Sequence, residues 1–535
     1  MMDTKALREK VLDLAIRGKL VPQDPNDEPA SVLLERIRQQ KQQMVKEGKL
    51  KAKDIKNDTV IFVGEDNLHY EKFADGSVIC IEDEIPFELP EGWQWVRLGC
   101  LAQYKKGPFG SSITKAMFVP DNPGAVKVYE QKNAISKDAS LGNYFISAEK
   151  YETLKGFEVF PNDIIVSCAG TIGETYVLPT SMRKGIINQA LMKISLYDLG
   201  ILDFYLMYFD FQLKRAAQEQ GYGVALKNIP PFDMLKIYLV PIPPIQEQQR
   251  IIAVVNNLLF KVDSIDADSK AIFALIAQTK AKILDLAIRG QLVPQDPTDE
   301  PASVLLERIR AEKEELIKQG KIKRDKKESV IFRGEDNSYY LNDGKMTVDI
   351  GDDLPFDVPD SWCWTRLKDV LIINPRNKLD DNLDVSFIPM PLIDDGYSGK
   401  HTAEVRQWNR IKTGFTHFAE GDVGVAKITP CFENRKSTIF KNLASGYGAG
   451  TTELHVLRPF GKNIFVRYLL AYVKSDYFIE NGKQTFTGDV GQQRISKEYI
   501  ENAYFPLPPI KEQERIVQQI DIMFEYLNII SNALS

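Results

Sequence analysis

The sequence predicts an α+β protein in which two globular α/β domains are joined by two long antiparallel coiled-coil helices. Three observations predict this architecture. A framework stretch is written twice, each copy is accompanied by a helix with an apolar seam, and the segments between them carry strand-like runs broken by turn signals. The framework copies are nearly identical while the intervening segments differ. We therefore expect a pseudo-two-fold repeat that holds two different domains.

The repeated framework sequence is LDLAIRGKLVPQDPNDEPASVLLERIR at residues 12–38, and it returns at residues 284–310 with two substitutions. This separation is far longer than the period of solenoid repeats, which indicates a duplicated domain-sized unit. In the first copy we expect an apolar helix that ends at Gly18, a Pro-Gln-Asp-Pro turn, and a second helix that opens at Pro29. Gly and Pro are common stop and start residues of helices at these positions.

Two long helices open at similar proline-rich sequences, PPIQEQQR at residues 243–250 and PPIKEQER at residues 508–515. Apolar residues then follow the four-three spacing of a coiled-coil seam. The seam residues are Ile251, Val255, Leu258, Val262 and Ile265 in the first helix and Ile516, Ile520, Met523, Leu527 and Ile530 in the second. By the repeat offsets, the N-terminal helix continues the C-terminal one. This pattern is that of a circularly permuted repeat, in which the two long helices lie antiparallel.

The predicted organisation has seven parts, in which each α/β block is flanked by framework and preceded by a connector. They are an N-terminal helical repeat that completes the C-terminal helix, a connector, block 1, a central helical region, a second connector, block 2 and the C-terminal helix, at residues 1–50, 51–90, 91–243, 244–325, 326–359, 360–508 and 509–535. The connectors are also duplicated, since VIFVGEDN at residue 60 closely matches VIFRGEDN at residue 330. The sequence alone assigns the connectors no role.

Composition narrows the class of protein. The chain has 44% hydrophobic and 27% charged residues, which is typical of a soluble globular protein. No apolar run reaches the length of a membrane span and the N-terminus has no apolar signal core, so no membrane association is expected. The five cysteines form no Cys-x-x-Cys pair. This spacing argues against a zinc site or a disulfide framework and favours a cytoplasmic location.

The distribution of charge separates the blocks from the framework. The formal net charge of the chain is −6, but residues 93–243 and residues 362–508 each carry +3. The framework and connectors are therefore acidic, and the two blocks are mildly basic, as a surface that meets nucleic acid is expected to be. An uneven spread of charge over solvated surfaces remains an open alternative.

These pieces together resemble the specificity subunit of type I restriction-modification systems. The resemblance rests on PIPPIQEQQRI, PLPPIKEQERI and the two GKLVPQDPNDEPASVLLERI-like stretches, which form the framework. In the blocks it rests on DIIVSCAGTIGETYVLP with GIINQALMKI, and on GDVGVAKITPCFENRKS with GYGAGTTELHVLRP, which look like target recognition domains of that family. The order and duplication of these motifs cover essentially the whole chain. The connectors are longer than in the simplest family pattern.

The resemblance implies a subunit without catalytic activity of its own. Each target recognition domain would read one half of a bipartite, asymmetric sequence in double-stranded DNA. The helices would set the gap and dock two methylation subunits, and two restriction subunits would join the complex. The resemblance implies no cofactor or metal on this chain, with S-adenosylmethionine, ATP and Mg²⁺ carried by the partner subunits.

Candidate DNA contacts in block 1 come from three polar stretches. The basic, hydroxyl-rich loop is suited to phosphate, and a Gln-Lys-Asn sequence after a predicted strand offers amides suited to an adenine edge. A Lys-Asn pair lies at the expected hinge before the long helix. The candidates are Lys105, Lys106, Ser111, Ser112, Gln131, Lys132, Asn133, Lys227 and Asn228. An ordinary solvated turn and a polar strand end remain the alternatives for the first two stretches.

Candidate contacts in block 2 lie in a loop that packs cations and an amide around a proline, and in a Gln-Gln-Arg sequence nearer the C-terminus. The candidates are Lys427, Thr429, Asn434, Arg435, Lys436, Gln492, Gln493 and Arg494. An arginine can meet guanine with two parallel hydrogen bonds, or it can contact a phosphate, and both readings of Arg494 stay open.

Two other classes of function compete with DNA recognition alone. An adenine methyltransferase would carry an Asn/Asp-Pro-Pro-Tyr/Phe motif, which Asn374-Pro-Arg does not match, and no Walker sequence indicates a motor. A nuclease fused to a DNA reader stays open because its motif is short and degenerate. A coiled-coil scaffold for protein interactions also stays open. It would hold similar domains for identical partners, whereas blocks 1 and 2 diverge on a shared framework.

Overall fold

The structure is a computed structural model that describes residues 3–168, 171–219, 232–324, 329–489 and 491–534. The chain divides into an N-terminal unit, residues 3–267, and a C-terminal unit to which residues 268–535 belong. Each unit contains a framework turn, a small connector sheet and one α/β block. Over the described ranges, no helix combines the length and the apolar character needed to cross a membrane.

The N-terminal unit contains the first eight described helices and the first thirteen described strands of the chain. The helices are α1 (Thr4–Ile16), α2 (Ala30–Lys46), α3 (Ala52–Ile55), α4 (Gln131–Ile135), α5 (Ala148–Leu154), α6 (Leu202–Glu219), α7 (Phe232–Lys236) and α8 (Ile245–Ile288), of which α8 continues into the C-terminal unit. The strands are β1 (Thr59–Val63), β2 (His69–Phe73), β3 (Val78–Cys80), β4 (Gln94–Arg97), β5 (Ala102–Lys106), β6 (Val126–Tyr129), β7 (Phe145–Ile146), β8 (Glu158–Val159), β9 (Ile164–Ser167), β10 (Thr175–Val177), β11 (Gly185–Ile187), β12 (Leu191–Leu196) and β13 (Leu239–Ile242).

The C-terminal unit repeats this order of elements. Its helices are α9 (Ala302–Lys318), α10 (Leu367–Val370), α11 (Trp408–Ile411), α12 (Val466–Val473), α13 (Asp476–Lys483), α14 (Lys497–Asn502) and α15 (Ile510–Ala533). Its strands are β14 (Val330–Arg333), β15 (Tyr339–Asn342), β16 (Thr347–Asp349), β17 (Cys363–Arg366), β18 (Leu371–Ile373), β19 (Asp384–Ile388), β20 (Glu404–Gln407), β21 (Thr416–Ala419), β22 (Val423–Ala426), β23 (Ser437–Ile439), β24 (Tyr447–Gly450), β25 (Leu454–Pro459) and β26 (Tyr504–Leu507).

The framework turn forms as the sequence predicts. Helix α1 ends at Ile16, and Gly18 follows with φ +64°, a left-handed conformation that glycine adopts without strain. A Cβ atom at Gly18 would lie 2.4 Å from Cγ of Pro90, so the close approach of the connector also requires glycine. Gly290 has φ +69° and the same relation to Pro359 at 2.5 Å. The two copies of the framework therefore build the same turn.

Each unit contains a pair of helices that run in opposite directions. In the N-terminal unit, Ile251 and Val255 of α8 are buried against α1, and Arg8 near the start of α1 pairs with Asp263 further along α8. In the C-terminal unit, residues 283–288 of α8 pack in one apolar cluster with residues 516–520 of α15. The last predicted seam residue of each helix is not buried, since Ile265 is 38% exposed and Ile530 is 47% exposed. The buried seam is therefore shorter than the spacing predicts.

The two blocks have the same strand order although their sequences differ. In block 1 one sheet has the order β5-β12-β9-β10 and the other β7-β6-β11-β8, with β6 and β11 parallel. In block 2 the corresponding orders are β18-β25-β22-β23 and β20-β19-β24-β21, with β19 and β24 parallel. A separate antiparallel pair, β4 with β13 or β17 with β26, closes each block where its first and last strands meet. The predicted α+β class is confirmed.

Two predictions about organisation are not decided by the described residues. The seven-part division of the chain stays a prediction. The circular permutation would bring Met1 near Ser535, and both of these residues lie outside the described residues.

Candidate nucleic-acid interface

The loop after β5 presents two lysines, a hydroxyl and an aromatic ring to solvent. Lys105 and Lys106 end β5 with exposed side chains, and Ser111 is exposed beside the half-buried Ser112. Phe109, at the tip of the loop, is 88% exposed. A ring this exposed contributes little to folding and is available to a partner. Sequence reasoning missed Phe109, although an aromatic residue inside a basic Gly-Pro loop was a signal that could have found it.

Gly107 holds this loop against the turn between β11 and β12. A Cβ atom at this position would lie 1.8 Å from the backbone oxygen of Asn188, so only glycine permits the contact. The Gly107 N–H also donates to the Leu191 oxygen at 2.9 Å. The base of the loop is thus fixed to the sheet while its tip projects.

The Gln-Lys-Asn sequence is the first turn of helix α4 and not a strand end. Lys132 is exposed, with Nζ 3.1 Å from a carboxylate oxygen of Glu130. Gln131 is half-buried, and its amide nitrogen lies 3.4 Å from the Thr171 oxygen. Both side chains reach the surface, so both remain candidates.

Asn133 has a different role from the one expected. It is fully buried. Its Oδ1 accepts from the Glu130 N–H at 2.8 Å, and its Nδ2 donates to the backbone oxygens of Asp138 at 2.9 Å and Leu141 at 2.8 Å. Every polar atom of this side chain is used to shape the turn after α4. The expectation that Asn133 offers an amide to a base is corrected, because a short helix turns the side chain inward.

Lys227 and Asn228 lie outside the described residues. Their predicted position at a hinge before α8 therefore stays a prediction.

In block 2, Lys436 and Arg435 of the proline loop form hydrogen bonds within the block and stabilise the loop. Lys436 donates through Nζ to the Ile393 oxygen at 2.8 Å, and its side chain is only 16% exposed. Arg435 donates through Nε to the Lys474 oxygen at 3.0 Å and pairs with Asp476. Carbonyl and carboxylate groups of block 2 accept these hydrogen bonds, which favours a structural role for both cations, and their contact with DNA stays a prediction.

Arg494 is also engaged within the block. Its Nε and Nη2 donate to the two carboxylate oxygens of Glu453 at 2.9 and 3.0 Å, and its Nη1 donates to the Gln492 oxygen at 2.8 Å. The bond from Arg494 lowers the pKa of the Glu453 carboxyl. The two guanidinium N–H donors that would bind a guanine therefore bind a carboxylate. Contact with a base would require this pair to open.

Two of the remaining candidates of block 2 line an open recess of about 500 Å³. Thr429 and Gln493 line it together with Glu433 and Lys483. The Thr429 N–H donates to the Gln493 oxygen at 2.9 Å, which joins the proline loop to the Gln-Gln-Arg segment. Lys483 was not among the predicted contacts, because it ends α13 and is distant in sequence from the other residues.

Lys427, Asn434 and Gln492 complete the set around this loop. Asn434 and Gln492 are exposed, and Lys427 is half-buried beside Glu453. Within the described residues no group of three or more His, Cys, Asp or Glu side chains could hold a metal ion. The chemistry that these side chains offer is hydrogen bonding and positive charge, which suit the phosphates and base edges of DNA.

A buried joint fixes block 1 to its long helix. The Trp93 indole N–H donates to Glu247 of α8 at 3.0 Å, and the Gln23 amide donates to the same carboxylate at 3.1 Å. Arg250, one turn further along α8, pairs with Asp27 at 2.5 Å. Burial raises the pKa of Glu247. The framework turn, the start of block 1 and the helix are thereby tied at one point.

The same joint recurs in the C-terminal unit. Gln295 donates to Glu512 at 2.7 Å, and Arg515 pairs with Asp299 at 2.6 Å. Trp362 is buried at the position of Trp93, and burial raises the pKa of Glu512. Each block is therefore held by an equivalent set of side chains at its root.

Comparison with known proteins identifies the family of this arrangement. A model of the type I restriction modification DNA specificity domain matches twice, at residues 90–271 and at residues 359–534. The two matches together cover more than half of the chain; the first contains block 1 and the first part of α8, and the second contains block 2 and α15.

Individual relatives are specificity subunits of type I restriction enzymes. The EcoAI subunit of Escherichia coli is 48% identical over 243 residues, which are 45% of this chain and 38% of the relative. The EcoEI subunit of the same organism is 45% identical over 243 residues with the same coverage. This chain thus matches less than half of the length of these two relatives. Among solved structures, the HsdS subunit from Thermoanaerobacter tengcongensis is 17% identical, with a TM-score of 0.40 over 84% of this chain and 94% of that chain.

Proposed function

The chain belongs to the type I restriction-modification DNA specificity family, and we propose that it reads a bipartite, asymmetric sequence in double-stranded DNA. Block 1 reads one half of the target and block 2 reads the other. The observation that carries this proposal is the pairing of two blocks with the same strand order and different loop side chains on a duplicated framework. A device for two identical ligands would not need different loops.

The proposed DNA contacts are the candidate side chains that reach the surface. In block 1 they are Lys105, Lys106, Ser111, Ser112, Gln131 and Lys132, with Phe109 added and with Lys227 and Asn228 kept from the sequence. In block 2 they are Lys427, Asn434, Gln492, Gln493 and Arg494, with Lys483 added and with Thr429, whose hydroxyl oxygen is buried, kept from the sequence. The lysines supply affinity through phosphates, and the amides and hydroxyls supply discrimination at base edges.

The long helices set the distance between the two half-sites in this proposal. Pairing of α8 with α1 and α15 as an antiparallel coiled coil, in a circularly permuted two-fold repeat, would fix that distance. The contact of Arg8 with Asp263 and that of Lys280 with Asn528 support antiparallel pairing inside each unit. Two methylation subunits and two restriction subunits complete the complex.

In this proposal the methylation and restriction subunits carry out catalysis. The methylation subunits carry S-adenosylmethionine, and the restriction subunits use ATP and Mg²⁺. The purified chain alone should neither cut nor methylate DNA when these cofactors are added. Turnover by the chain without partner subunits would contradict this assignment and favour a reader fused to a nuclease.

Exchange of one block tests whether each block reads one half of the target. Residues 93–243 are replaced by the matching block of a relative in a strain that carries the complete system, and methylated sites are mapped across the genome. We expect one half of the target to change while the other half and the gap stay the same. Insertion of seven residues within α8 should change the gap or abolish assembly, because the helix sets the spacing. A change of both half-sites on block exchange would refute the two-reader proposal.

A further inference from the structure

A buried lysine, Lys474, lies where three segments of block 2 meet. It follows directly after α12, and it is only 3% exposed. Its Nζ donates to the backbone oxygen of Gly396 and to that of Arg435, the second at 2.7 Å. Gly396 lies in the loop before β20, and Arg435 lies in the proline loop, residues 427–436. One side chain therefore joins these two loops to the end of a helix.

Arg435 makes the reciprocal contact. Its Nε donates to the backbone oxygen of Lys474 at 3.0 Å, and its guanidinium pairs with Asp476, the first residue of α13. The guanidinium carbon also lies 5.2 Å from the centre of the Tyr397 ring, which is close enough for a cation–π contact. Each of the two cations thus binds the backbone oxygen of the other, so neither loop can shift without breaking several contacts.

The backbone conformation of the proline loop needs such support. Arg435 has φ +54°, in the left-handed region, which non-glycine residues seldom adopt and which persists where surrounding contacts hold it. The backbone oxygen of the preceding Asn434 accepts from the Gly396 N–H at 2.7 Å. The Asn434 side chain is exposed and is one of the proposed DNA contacts. The network around Lys474 therefore determines where this amide lies.

Burial of this lysine is unfavourable for folding alone. Loss of water around the ammonium lowers the pKa of Lys474 to about 7, and the positive charge of Arg435 acts in the same direction. The carboxylates of Asp394 and Asp395 act against that shift without cancelling it. An apolar side chain of similar length would avoid the cost of removing a cation from water. The lysine is therefore better explained by the position that it gives to the two loops than by stability.

The equivalent position in block 1 has the opposite charge. Helices α6 and α12 correspond, because each packs an aromatic ring edge-on against the tryptophan at the start of its block, with ring centroids 6.3 Å apart in both. By this correspondence Asp210 takes the place of Lys474, and it accepts a hydrogen bond from the Thr175 hydroxyl at 3.1 Å. The shared framework therefore does not account for the lysine, which differs between the blocks as their loops do.

We propose that Lys474 is a positioning residue for DNA recognition by block 2, and that together with Arg435 it holds the proline loop in the conformation that presents Asn434 to the DNA. This inference rests on the proposed function, in which block 2 reads one half of the target. A loop that is ordered before DNA binds loses less conformational entropy on binding and meets the bases in one geometry. Without Lys474 the loop should discriminate less between bases, while phosphate contacts elsewhere keep the affinity for any sequence.

The test measures binding of the assembled complex to DNA duplexes by fluorescence anisotropy. The duplexes are the target identified by methylation mapping, two forms in which one half-site is scrambled, and a random sequence. The main variant is Lys474→Met, which keeps the length of the side chain and removes its donors. The matched control is Lys400→Met, because Lys400 is an exposed lysine that lines the same open groove of about 520 Å³ as Lys474. A third variant, Lys474→Arg, retains N–H donors, and the groove leaves room for its guanidinium.

In Lys474→Met, the preference for the target over DNA scrambled at the half-site of block 2 should fall by at least about fivefold. The preference at the other half-site and the affinity for random DNA should stay within about twofold, and the control should change neither. Lys474→Arg should recover most of the lost preference. Hydrogen exchange should become faster at the backbone amides of residues 394–400 and 427–436. The melting temperature should shift by less than about 3 °C, because relief of the buried charge offsets the lost hydrogen bonds.

An unchanged preference at the block 2 half-site in Lys474→Met overturns the proposal, and so does an equal loss at both half-sites. A loss in Lys474→Arg as large as in Lys474→Met also overturns it, because hydrogen-bond donation would then not be what this position supplies. If Lys474→Met does not fold, Asp476→Asn decides, since it removes an exposed partner of Arg435: it should lower the same preference by about twofold, and no change overturns the proposal. Failure of the DNA-reading function would look different, because the unmodified complex would bind all four duplexes equally.

Discussion

In both units an equivalent set of side chains attaches the α/β block to its long helix, although the two blocks differ in sequence. Around Glu247 and Glu512, the equivalent glutamine and the equivalent Arg–Asp pair recur at closely similar distances. The blocks above these joints share strand order and little else. The comparison shows that the contacts at the root of each block are the same in both units. These contacts determine the position of the block on its helix. Side chains within the block are free to differ as long as the sheets form.

The attachment of the connector sheets differs in chemistry between the units. In the N-terminal unit, Arg97 donates to both carboxylate oxygens of the buried Glu71, at distances of 2.6 to 3.2 Å. Burial raises the pKa of Glu71, but the bonds from Arg97 outweigh this and leave it below its usual value. The corresponding position in β15 is Leu341, which joins an apolar cluster. The first sheet is thus attached by a buried ion pair in addition to its apolar cluster, whereas the second has an apolar cluster and the exposed Arg333–Asp360 pair.

The largest expected effect comes from breaking that ion pair. Arg97→Ala leaves the Glu71 carboxylate buried without its partner, and should lower the unfolding free energy by about 3–5 kcal/mol. Arg366→Ala, at the equivalent position in β17, should cost less than about 1 kcal/mol, because no buried carboxylate among the described residues pairs with it. Urea unfolding of both variants measures the difference. The double variant Arg97→Ala/Glu71→Leu should recover most of the loss, because it recreates the apolar arrangement. Equal losses in the two single variants would contradict this account.

A second difference predicts unequal acid stability. Met192 in β12 corresponds to His455 in β25, and both are buried. Burial lowers the pKa of His455 to about 4. Since the pKa in the folded state lies below the unfolded value, the stability present above about pH 6.5 is lost as the pH falls toward 4, by up to about 3 kcal/mol. His455→Met should remove this part of the pH dependence of unfolding between pH 7 and 4.5. A His455→Met curve parallel to that of the unmodified chain would refute the assignment.

The third prediction concerns the tips of equivalent loops. The loop after β5 carries the exposed Phe109, whereas the loop after β18 carries the exposed Arg376. Burial of an aromatic side chain against DNA is worth about 1.5–3 kcal/mol and neutralises no phosphate, so its loss does not alter the salt slope. Phe109→Ala should therefore weaken binding to the target by at least about fivefold while leaving the salt slope unchanged. Fluorescence anisotropy at several salt concentrations measures both quantities. A changed slope with unchanged affinity at low salt would exclude stacking.

The sequence predicted the framework well because its signals are local or repeated. The turn at Gly18 and the helix start at Pro29 follow from residue types at fixed positions, and both formed as predicted. The site was predicted less well, because the orientation of a polar side chain depends on residues distant in the chain. Asn133 turns inward because α4 forms, and Arg494 is neutralised by Glu453, which lies 41 residues earlier. No local pattern reveals such partners.

The smallest expected effect separates an exposed lysine from one that holds a loop. Lys106 is exposed at the end of β5, whereas Lys436 donates to internal oxygens. Release of one counterion changes the slope of log affinity against log salt by about 0.9 for each phosphate contact. Lys106→Ala should therefore weaken binding to all sequences a few-fold and reduce the slope by about one. Lys436→Ala should leave the slope unchanged and instead lower the melting temperature, because the Ile393 oxygen loses its donor. A reduced slope in Lys436→Ala would return this lysine to the DNA-facing surface.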